Sequence, residues 1–517
     1  MNNILWVDDE IQLLKPHILY LEKKGFKMTT ATNGYDAVKL VEEQHFDLVV
    51  LDEMMIGMDG LETLEKLKVV DEEIKAIMLT KSEEEGIFLQ AVGNMINDYL
   101  TKPVTPLQLY LTIRKNLERE NLISENLSKK YIKDYNILRG MIDSTNSYED
   151  WIGINEKISY WGIKLDEIND ENLISTFNDL KSDANKIFGD FIQSNYKNWI
   201  DGESERPVFS VNIIDKYIIP DLEKQQLALI VIDCFPFDQM TMIEDTLKNS
   251  FSIIKDSYYS ILPTSTEFAR NAIFSGLFPD EIEKRHTDVY FDNYEDDDSN
   301  NRNEDILLER QLLAKGYDLG KKLKYFKMYK VDEFAKFESR IGELKDSSLV
   351  SIVVNMVDFL IHDKKKDELI NEMMDSESSY RATIKNWFIN SHLNKIIEKL
   401  GDLGFKIIIT TDHGAKLINK FTKVKGDGRS SSGLRMKYGK NLSTSNKKQT
   451  FFWQKPSDYK MPSFFEGKNI ILAKEDHCFV FEKGLSDFYS KIKNTYQHGG
   501  VSLDEIILPV LILTKKV

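Results

Sequence analysis

The sequence ILWVDDE, residues 4–10, sets four apolar residues directly before a run of acids. A short unbroken apolar run of this kind is typical of a strand buried on both faces of a parallel sheet. Further β-rich runs follow at MTTAT (28–32), DLVVL (47–51), AIMLT (76–80) and DYL (98–100), with helical stretches between them. Alternating strands and helices predict a parallel sheet with crossover helices, so we expect residues 1–118 to form one α/β domain.

Length and composition narrow the class of protein. A chain of 517 residues exceeds one hydrophobic core, and its 42% hydrophobic residues are enough to bury several. Two cysteines, Cys234 and Cys478, argue against a disulfide framework and against a thiolate zinc site. No apolar run approaches the roughly 20 residues that a bilayer span needs, and the first residues lack a basic flank, so we expect a cytoplasmic protein. A net charge of −16 argues against general affinity for nucleic acids or anionic membranes.

Two further regions are expected after the first domain. Residues 119–206 carry apolar residues at helical spacing, without proline between Pro106 and Pro207, and predict a helical bundle that acts as a connector. Residues 207–517 return to apolar runs and predict a second, larger α/β sheet. These runs are QLALIVID (226–233), LVSIVVNMV (349–357), FKIIITT (405–411), CFVF (478–481) and IILPVLIL (506–513). Two polar segments, 292–305 and the basic stretch after His413, have the composition of surface loops.

Three acids fall at strand ends in the first domain. Asp8 and Asp9 follow the first strand and Asp52 follows the third, so they are expected at the carboxyl edge of the sheet, where open α/β sheets bind ligands. A hard cation such as Mg²⁺ relieves the repulsion among them and lets one carboxylate act as nucleophile toward a phosphoryl group. Thr80 and Lys102 end neighbouring strands and supply a hydroxyl and a cation for the phosphoryl oxygens.

These residues closely resemble the active set of a bacterial receiver domain, which implies a flavodoxin-like, five-stranded parallel sheet. The resemblance makes Asp8 and Asp9 the metal-binding pair and Asp52 the phosphoacceptor. It makes Thr80, Tyr99 and Lys102 the switch hydroxyl, the switch aromatic and the lysine of the site. It also implies a sensor histidine kinase as partner and a cis peptide bond between Lys102 and Pro103. The alternative is that strand-end acids are merely solvated and that Thr80 and Tyr99 merely pack. Ile56 departs from the family, which usually has proline there.

A second set of potential ligands falls at strand ends in the carboxy-terminal region. Asp233, Asp358 and the pair Asp412 and His413 each follow an apolar run. His362 lies one helical turn after Asp358, and His498 lies in the sequence QHGG, where glycines let the backbone approach closely. Oxygen and nitrogen ligands without cysteine favour Zn²⁺ or Mn²⁺ in a hydrolytic site. Thr264, Ser265 and Thr266 precede a predicted helix and are candidate nucleophiles.

This second pattern resembles the alkaline phosphatase superfamily, in particular its nucleotide pyrophosphatase/phosphodiesterase branch and PglZ-type domains. Counting back from Gly276, the family's spacing selects Thr266 as the nucleophile. The resemblance implies one metal site from Asp233, Thr266, Asp412 and His413, and another from Asp358, His362 and His498, with one or two Zn²⁺ ions. The chain departs from the family by insertions between His413 and His498. Singly, each residue has a structural alternative: Asp233, Asp358 and Thr266 as helix caps, and His362 as a surface residue. Arg270 and Asn271 are candidate phosphate contacts or, alternatively, helix-surface residues.

The stretch from Gly414 to Gln449 carries ten Lys or Arg residues and one acid, Asp427, which gives a local charge of +9. A basic loop over the metal ligands, with Lys425 and Arg429 among its cations, would attract a polyanion longer than one phosphate. Nearby aromatics could stack bases; they are Tyr438, Phe451, Phe452 and Trp453. The alternative is a solvated loop beside core aromatics. We favour an oligonucleotide or a cyclic dinucleotide as substrate.

In the order of its parts the chain resembles response regulators of the Bacteroidetes type IX secretion system, which join a receiver, a helical bundle and a PglZ-type domain. The resemblance implies phosphorylation-dependent dimerisation, action with a sigma factor and zinc-dependent phosphodiesterase activity. A catalytically silent metal-binding scaffold that acts through protein partners is the main alternative. A conventional DNA-binding regulator is less favoured, because no helix-turn-helix or basic helix follows the receiver.

Overall fold

The structure is a computed structural model that describes residues 2–81, 96–168, 170–289, 301–355, 375–426, 433–444, 446–481 and 492–516. Contacts divide the chain into two units, 1–130 and 131–517.

The first unit is built on a five-stranded parallel sheet in the order β2-β1-β3-β4-β5. Its strands are β1 (Asn3–Val7), β2 (Lys27–Ala31), β3 (Leu48–Asp52), β4 (Lys75–Thr80) and β5 (Asp98–Thr101). Its helices are α1 (Lys15–Lys23), α2 (Gly34–Glu43), α3 (Gly60–Val70) and the start of α4 (Pro106–Ser144). The apolar runs of β1, β3 and β4 are buried, as expected for inner strands of a parallel sheet. The predicted flavodoxin-like sheet is confirmed.

The second unit begins with long helices that bury one face. These are the end of α4, α5 (Tyr148–Ile168) and α6 (Glu171–Asp201). In α6 the buried residues Phe177, Leu180, Ala184 and Phe188 recur at helical spacing. The Asp170 carboxylate caps its first turn, and Gly202 ends it at a φ of 74°. The predicted helical region is present.

A six-stranded mixed sheet forms the centre of the second unit, in the order β7-β19-β10-β6-β9-β8. Its strands are β6 (Leu227–Ile232), β7 (Phe251–Tyr259), β8 (Leu323–Met328), β9 (Leu349–Val354), β10 (Lys406–Thr410) and β19 (Ile507–Lys515). Strands β10, β6, β9 and β8 run parallel, and β19 pairs antiparallel with both β10 and β7. The expected second α/β sheet is confirmed.

Helices accompany this sheet. They are α7 (Ile213–Tyr217), α8 (Phe237–Leu247), α9 (Thr266–Ser275), α10 (Pro279–Arg285), α11 (Glu304–Ala314), α12 (Val331–Arg340), α13 (Glu377–Asn390), α14 (His392–Asp402) and α15 (Leu503–Ile506). Within the described parts of the chain, no helix is long and apolar enough to cross a membrane.

The basic stretch after His413 forms strands in its described part, so the prediction of one surface loop is wrong. Small sheets are built from β11 (Lys416–Ile418), β12 (Lys420–Lys425), β13 (Met436–Gly439), β14 (Ser443–Thr444), β15 (Thr450–Trp453), β16 (Asn469–Ala473), β17 (His477–Phe481) and β18 (Thr495–Gln497). The run CFVF lies in β17, which pairs with β12 rather than with the six-stranded sheet. Strand β17 is buried because Phe479 packs against β16 and Cys478 packs against Ile418, so its apolar sequence did not reveal which sheet it joins.

Candidate phosphoacceptor site and metal centre

The carboxyl edge of the first sheet gathers three acids. Ligand atoms of Asp8, Asp9 and Asp52 lie within 4.8 Å of one another. Asp8 and Asp52 are buried and Asp9 is exposed, so the alternative of merely solvated acids is wrong for the first two. The Lys102 Nζ lies 3.1 Å from Asp8 Oδ2 and 2.8 Å from Asp52 Oδ1. A cation thus bridges two carboxylates of the cluster.

The electrostatics of this cluster suit a charged lysine beside a carboxylate. Burial raises the pKa of Asp52, and Lys102 only partly offsets that rise. Burial alone would lower the pKa of Lys102, but the hydrogen bond and charge of Asp52, with the charge of Asp8, raise it above its ordinary value. Lys102 therefore stays protonated and can bind phosphoryl oxygens, while the oxygen-only donor set of the acids fits a hard divalent cation.

Thr80 and Tyr99 lie on adjacent strands beside the acids. Thr80 is buried at the end of β4, and its carbonyl accepts a hydrogen bond from Lys102 N at 2.7 Å. Tyr99 is half-buried on β5 and packs against the core cluster of the sheet. The Lys102–Pro103 peptide bond is cis, as predicted, and Ile56 is 85% exposed. The switch roles of Thr80 and Tyr99 stay predictions.

The second sheet brings together four of the predicted residues at its carboxyl edge. Asp233 directly follows β6, while Asp412 and His413 follow β10, the parallel neighbour of β6. Ligand atoms of these three residues lie within 4.8 Å of one another, and all three are buried. Thr266 Oγ1 lies 3.4 Å from Asp233 Oδ1 and 3.0 Å from His413 Nε2. Thr266 is the first residue of α9 and Ser265 is its N-cap, so the N-cap alternative for Thr266 is wrong.

Hydrogen bonds fix the roles of the two ring nitrogens of His413. His413 Nδ1 lies 3.1 Å from the Gly414 carbonyl oxygen, which can only accept, so Nδ1 carries a proton. In the tautomer with the proton on Nδ1, Nε2 accepts a hydrogen bond from the Thr266 hydroxyl at 3.0 Å. An unprotonated Nε2 facing Asp233 Oδ1 at 3.7 Å is the form of histidine that binds a metal ion.

Arg270, one helical turn after Thr266, is fully buried against the acids. Its guanidinium pairs with Asp233 Oδ2 and, through Nε at 2.8 Å, with Asp412 Oδ2. Burial alone would raise the pKa of Asp412, but the charge and the hydrogen bond of Arg270 lower it below its ordinary value. The helix-surface alternative for Arg270 is wrong, and its assignment as a phosphate contact stays a prediction.

A layer of buried polar groups that sequence reasoning missed supports Arg270. Arg270 Nη1 donates to Asn355 Oδ1 at 3.0 Å and lies 3.6 Å from Glu304 Oε1. Glu304 also pairs with Lys327 and accepts a hydrogen bond from the Tyr325 hydroxyl. Glu304 belongs to the polar segment 292–305, which was predicted to be a surface loop. That prediction is wrong for Asn301 and Glu304, because both side chains are buried. Inside the protein, the Asn301 amide donates to the Glu304 carboxylate.

His498 and Thr264 join the centre from different directions. The His498 ring stacks on the His413 ring, with centroids 4.4 Å apart and planes inclined by 22°. Thr264 is buried, and its hydroxyl donates to Gly500 O at 2.9 Å and accepts from Gly499 N at 3.2 Å. The two candidate threonines are therefore used differently: Thr264 holds the loop of His498, and Thr266 faces Asp233 and His413.

Several predicted residues lie elsewhere. Asp358, His362 and Arg429 fall outside the described residues. Asn271 is buried, and its amide donates to Glu267 O at 2.9 Å, so its helix-surface alternative is also wrong. Lys425 is exposed on β12.

Three of the four candidate base-stacking aromatics are core residues, so that part of the substrate prediction is wrong. Trp453 is fully buried and stacks on Tyr459 with centroids 4.4 Å apart. Phe451 and Tyr438 are buried as well, whereas Phe452 is 40% exposed. Cations of the basic stretch are partly buried too, since Lys416 pairs with Asp504 and Arg435 with Glu505. The alternative of core aromatics is therefore correct for Tyr438, Phe451 and Trp453.

The donor set of the second centre fits a divalent transition metal. Two carboxylates, one imidazole nitrogen and one hydroxyl converge in a buried place, and the buried Arg270 does not fully balance the acids around it. Such mixed oxygen and nitrogen ligands suit Zn²⁺ or Mn²⁺.

The fold and the two centres define a class of protein, a response regulator joined to an alkaline phosphatase-like domain. The model of the response regulator receiver domain family matches residues 4–114, and that of the PorX response regulator linker domain matches 121–200. The model of the BREX system PglZ alkaline phosphatase-like domain matches residues 213–513, more than half of the chain. The chain belongs to this PglZ family.

Individual relatives match the receiver region. The transcriptional regulatory protein SrrA of Staphylococcus aureus is 31% identical over 133 residues, which cover 26% of this chain and 55% of that protein. The chain thus spans about half the length of the curated relatives it matches. Among solved structures, a receiver domain protein from Clostridium thermocellum is 27% identical, with 24% of this chain and 99% of that chain covered and a TM-score of 0.22. The response regulator TrrA from Thermotoga maritima, in complex with Mg(2+)-BeF, is 30% identical, with 23% and 100% covered and a TM-score of 0.21.

Proposed function

We propose that the chain is a response regulator phosphorylated on Asp52 whose second unit is a zinc-dependent phosphodiesterase. The observation that carries the catalytic part is the contact of the Thr266 hydroxyl with His413 Nε2 at 3.0 Å, beside the buried carboxylates of Asp233 and Asp412. A hydroxyl at the first residue of a helix, next to an acceptor nitrogen and unbalanced acids, is placed to become a nucleophile.

In such a reaction, the residues of the second unit would have different roles. Asp233, Asp412 and His413 would hold one ion, with Thr266 beside it, and His498 with Asp358 and His362 would hold a second. Bound Zn²⁺ supplies charge stabilisation for the phosphoryl group and makes a hydroxyl or water a better nucleophile at neutral pH. Thr266 Oγ1, after releasing its proton to solvent, would attack phosphorus and displace one alkoxy group of the diester, which leaves as an alcohol by taking up a proton. Water would then cleave the bond between phosphorus and Oγ1, which restores the Thr266 hydroxyl and releases a phosphomonoester. Arg270 keeps both carboxylates oriented, because its Nε and Nη2 reach one oxygen of each.

The first unit would act as the control element. Asp8 and Asp9 would hold Mg²⁺, Asp52 would take a phosphoryl group from a sensor histidine kinase, and Lys102 would bind a phosphoryl oxygen. Phosphorylation would then shift Thr80 and Tyr99 and favour a homodimer. We propose the functional division 1–118 for the receiver, 119–206 for the helical connector and 207–517 for the catalytic domain.

The proposed substrate is an oligonucleotide or a cyclic nucleotide. Lys423 and Lys425 are exposed on alternate positions of β12, and Phe452 of β15 is 40% exposed. Cations spaced along a strand can contact successive phosphates. Arg429 and Lys425 remain proposed substrate contacts. A role in type IX secretion, with a sigma factor or a secretion component as partner, completes the proposal.

Hydrolysis of bis(p-nitrophenyl) phosphate and of short oligonucleotides by the full chain tests the catalytic proposal. With Zn²⁺, turnover is expected in the wild type, and Thr266→Ala is expected to lower kcat at least about 100-fold because the nucleophile is lost. Chelation should abolish turnover as well. Thr241→Ala is the matched control, since the Thr241 hydroxyl donates to Phe237 O within α8. Turnover that Thr266→Ala leaves intact would exclude this mechanism.

A silent scaffold that acts through protein partners is the second candidate. One observation favours it: Arg270 already pairs with both Asp233 and Asp412, so the carboxylates have a cationic partner within the chain. Elemental analysis of the purified chain distinguishes the candidates together with the turnover assay. Bound metal without Thr266-dependent turnover would favour the scaffold.

A further inference from the structure

Helix α6 carries two buried polar side chains that reach the segment after His498. The Lys181 Nζ lies 2.9 Å from both Glu377 carboxylate oxygens and 2.9 Å from Asp504 Oδ1. The Asn185 side-chain carbonyl accepts a hydrogen bond from Leu503 N at 2.9 Å, at the start of α15. Both residues are less than a tenth exposed. A helix of the linker region is therefore tied by specific hydrogen bonds to residues 503–504.

The segment that α6 holds is in direct contact with the loop of His413. The Asp504 carbonyl oxygen lies so close to Gly414 that a Cβ added there would meet it at 1.8 Å. Gly414 N also donates to Glu505 O at 3.3 Å. The Gly414 carbonyl in turn accepts the Nδ1 proton of His413. A shift of Asp504 would therefore move the group that orients the His413 ring.

A second line of contacts leads from the same carboxylate to His498. Asp504 Oδ2 lies 2.7 Å from the Lys416 Nζ. Lys416 is opposite Gln497 in the antiparallel pairing of β11 with β18, and His498 follows Gln497 directly. Asp504 therefore contacts Gly414, which follows His413, and pairs with Lys416, which lies opposite the residue before His498. The rings of these two histidines are stacked on each other.

We propose that Lys181 and Asn185 of helix α6 are positioning residues for the metal centre of the second unit. The inference rests on the proposed function in one respect, that Asp233, Asp412 and His413 hold a metal ion. Lys181 fixes Asp504, and Asn185 fixes the turn that carries it, so the linker helix sets the orientation of both histidine rings. Groups that orient metal ligands typically change metal affinity 10–100-fold when they are removed.

The experiment compares Lys181→Met, Lys181→Arg and Lys186→Met in the full chain. Lys186 is exposed on the same helix, so Lys186→Met makes the same chemical change away from the contacts. Two quantities are measured: Co²⁺ binding followed by its visible absorption, with Asp233→Asn as the background, and hydrogen exchange of residues 412–418 and 499–506 in metal-free protein. Lys181→Met is expected to weaken Co²⁺ binding at least about 10-fold, to alter the absorption spectrum and to speed exchange in both segments. Lys181→Arg is expected to retain most of the wild-type affinity for Co²⁺, because a guanidinium can bridge Glu377 and Asp504.

The outcomes separate the inference from the function on which it rests. Unchanged Co²⁺ affinity and spectrum in Lys181→Met overturn the inference, whether or not exchange rises, since Lys181 then supports only the fold. A wild type that binds no Co²⁺ above the Asp233→Asn background refutes the proposed function instead, and exchange at 412–418 still decides whether α6 holds the His413 loop. If circular dichroism shows that Lys181→Met is unfolded, Asn185→Ala, which removes the acceptor for Leu503 N, decides by the same two measurements.

Discussion

Among single residues, Arg270 decides the charge balance of the second centre. Burial alone would lower its pKa, but the charges of Asp233, Asp412 and Glu304 raise it well above the ordinary value, so the guanidinium is always charged. One cation then faces three buried acids, of which Glu304 is also paired with Lys327. The excess of negative charge favours uptake of a divalent cation next to Asp233 and Asp412.

Replacing Arg270 should therefore destabilise the metal-free chain. Arg270→Met leaves two buried carboxylates without their arginine, and breaking a buried pair in this way costs about 3–5 kcal/mol. Urea denaturation in the presence of a chelator, followed by tryptophan fluorescence, measures the change. Arg340→Met, at an exposed ion pair with Glu343, is the control and should leave the unfolding midpoint in place. Equal midpoints for Arg270→Met and wild type would show that the acids do not depend on this arginine.

The candidate ligands at strand ends could be identified from the sequence. The buried residues that support those ligands could not. Asp233, Asp412 and His413 could be predicted because an apolar strand must end where its polar residues begin. Thr266 was preferred to Thr264 as the nucleophile only because its spacing to Gly276 matches the family. Arg270 and Glu304 could not be assigned, because the burial of a charged residue depends on partners that are distant in sequence.

At the level of elements, apolar runs predicted the inner strands of the six-stranded sheet and missed both outer ones, β7 and β8. Strand β7 is exposed or half-buried over Ser252–Asp256, so its sequence FSIIKDSYY lacks a continuous apolar run. Strand β17 has such a run, yet it joins a small sheet instead of the large one. Local sequence reports how deeply a strand is buried, whereas the choice of partner strand depends on tertiary packing.

The junction of α6, α13 and α15 should make the second unit sensitive to acid. Burial alone would raise the pKa of Glu377, but the charges of Lys181 and Lys416 lower it to about 2, below the ordinary 4.5. A carboxyl with a lowered pKa stabilises the fold above its unfolded pKa and loses that effect as pH falls toward the folded value. Wild type should therefore exceed Glu377→Gln in unfolding free energy by on the order of 3 kcal/mol at pH 6, and the difference should shrink by pH 3.

Urea denaturation at pH 6, 5, 4 and 3 measures this difference. Glu223→Gln, at an exposed position of the same unit, is the matched control and should follow the wild type at every pH. A difference between wild type and Glu377→Gln that stays constant from pH 6 to pH 3 would contradict the assignment of the ion pairs.

For the whole molecule, the linker helices and the PglZ region share one hydrophobic cluster. Phe188, Ile192 and Tyr196 of α6 are buried in the same cluster as Phe209 and Phe268. Tyr196 also accepts a hydrogen bond from Leu262 N through its hydroxyl. Residues 131–517 accordingly form a single unit, whereas the sequence pattern predicted a helical connector over 119–206 followed by a second α/β domain over 207–517.

A fragment of residues 131–517 should therefore fold, whereas a fragment of residues 207–517 should not. Without α6, the rings of Phe209, Tyr259 and Trp453 lose the aromatic side chains that they pack against. Exposing a large buried apolar side chain costs about 1.5–3 kcal/mol, so uncovering these three costs about 4.5–9 kcal/mol. That loss is comparable with the total stability of about 5–15 kcal/mol of an ordinary domain. Size-exclusion chromatography and thermal unfolding of both fragments measure the outcome. A monomeric 207–517 fragment with a cooperative transition would refute a shared core.

The position of β19 has a consequence for biosynthesis. It lies between β10 and β7, and it follows every other strand of the six-stranded sheet in the chain. While the ribosome is still translating residues 507–515, β7 has no neighbour within this sheet and β10 lacks one of its two. A nascent polypeptide thus cannot complete this sheet, in which β7 leads to Thr266 and β10 to His413, until β19 has emerged, so truncated translation products would carry the receiver with an incomplete second sheet.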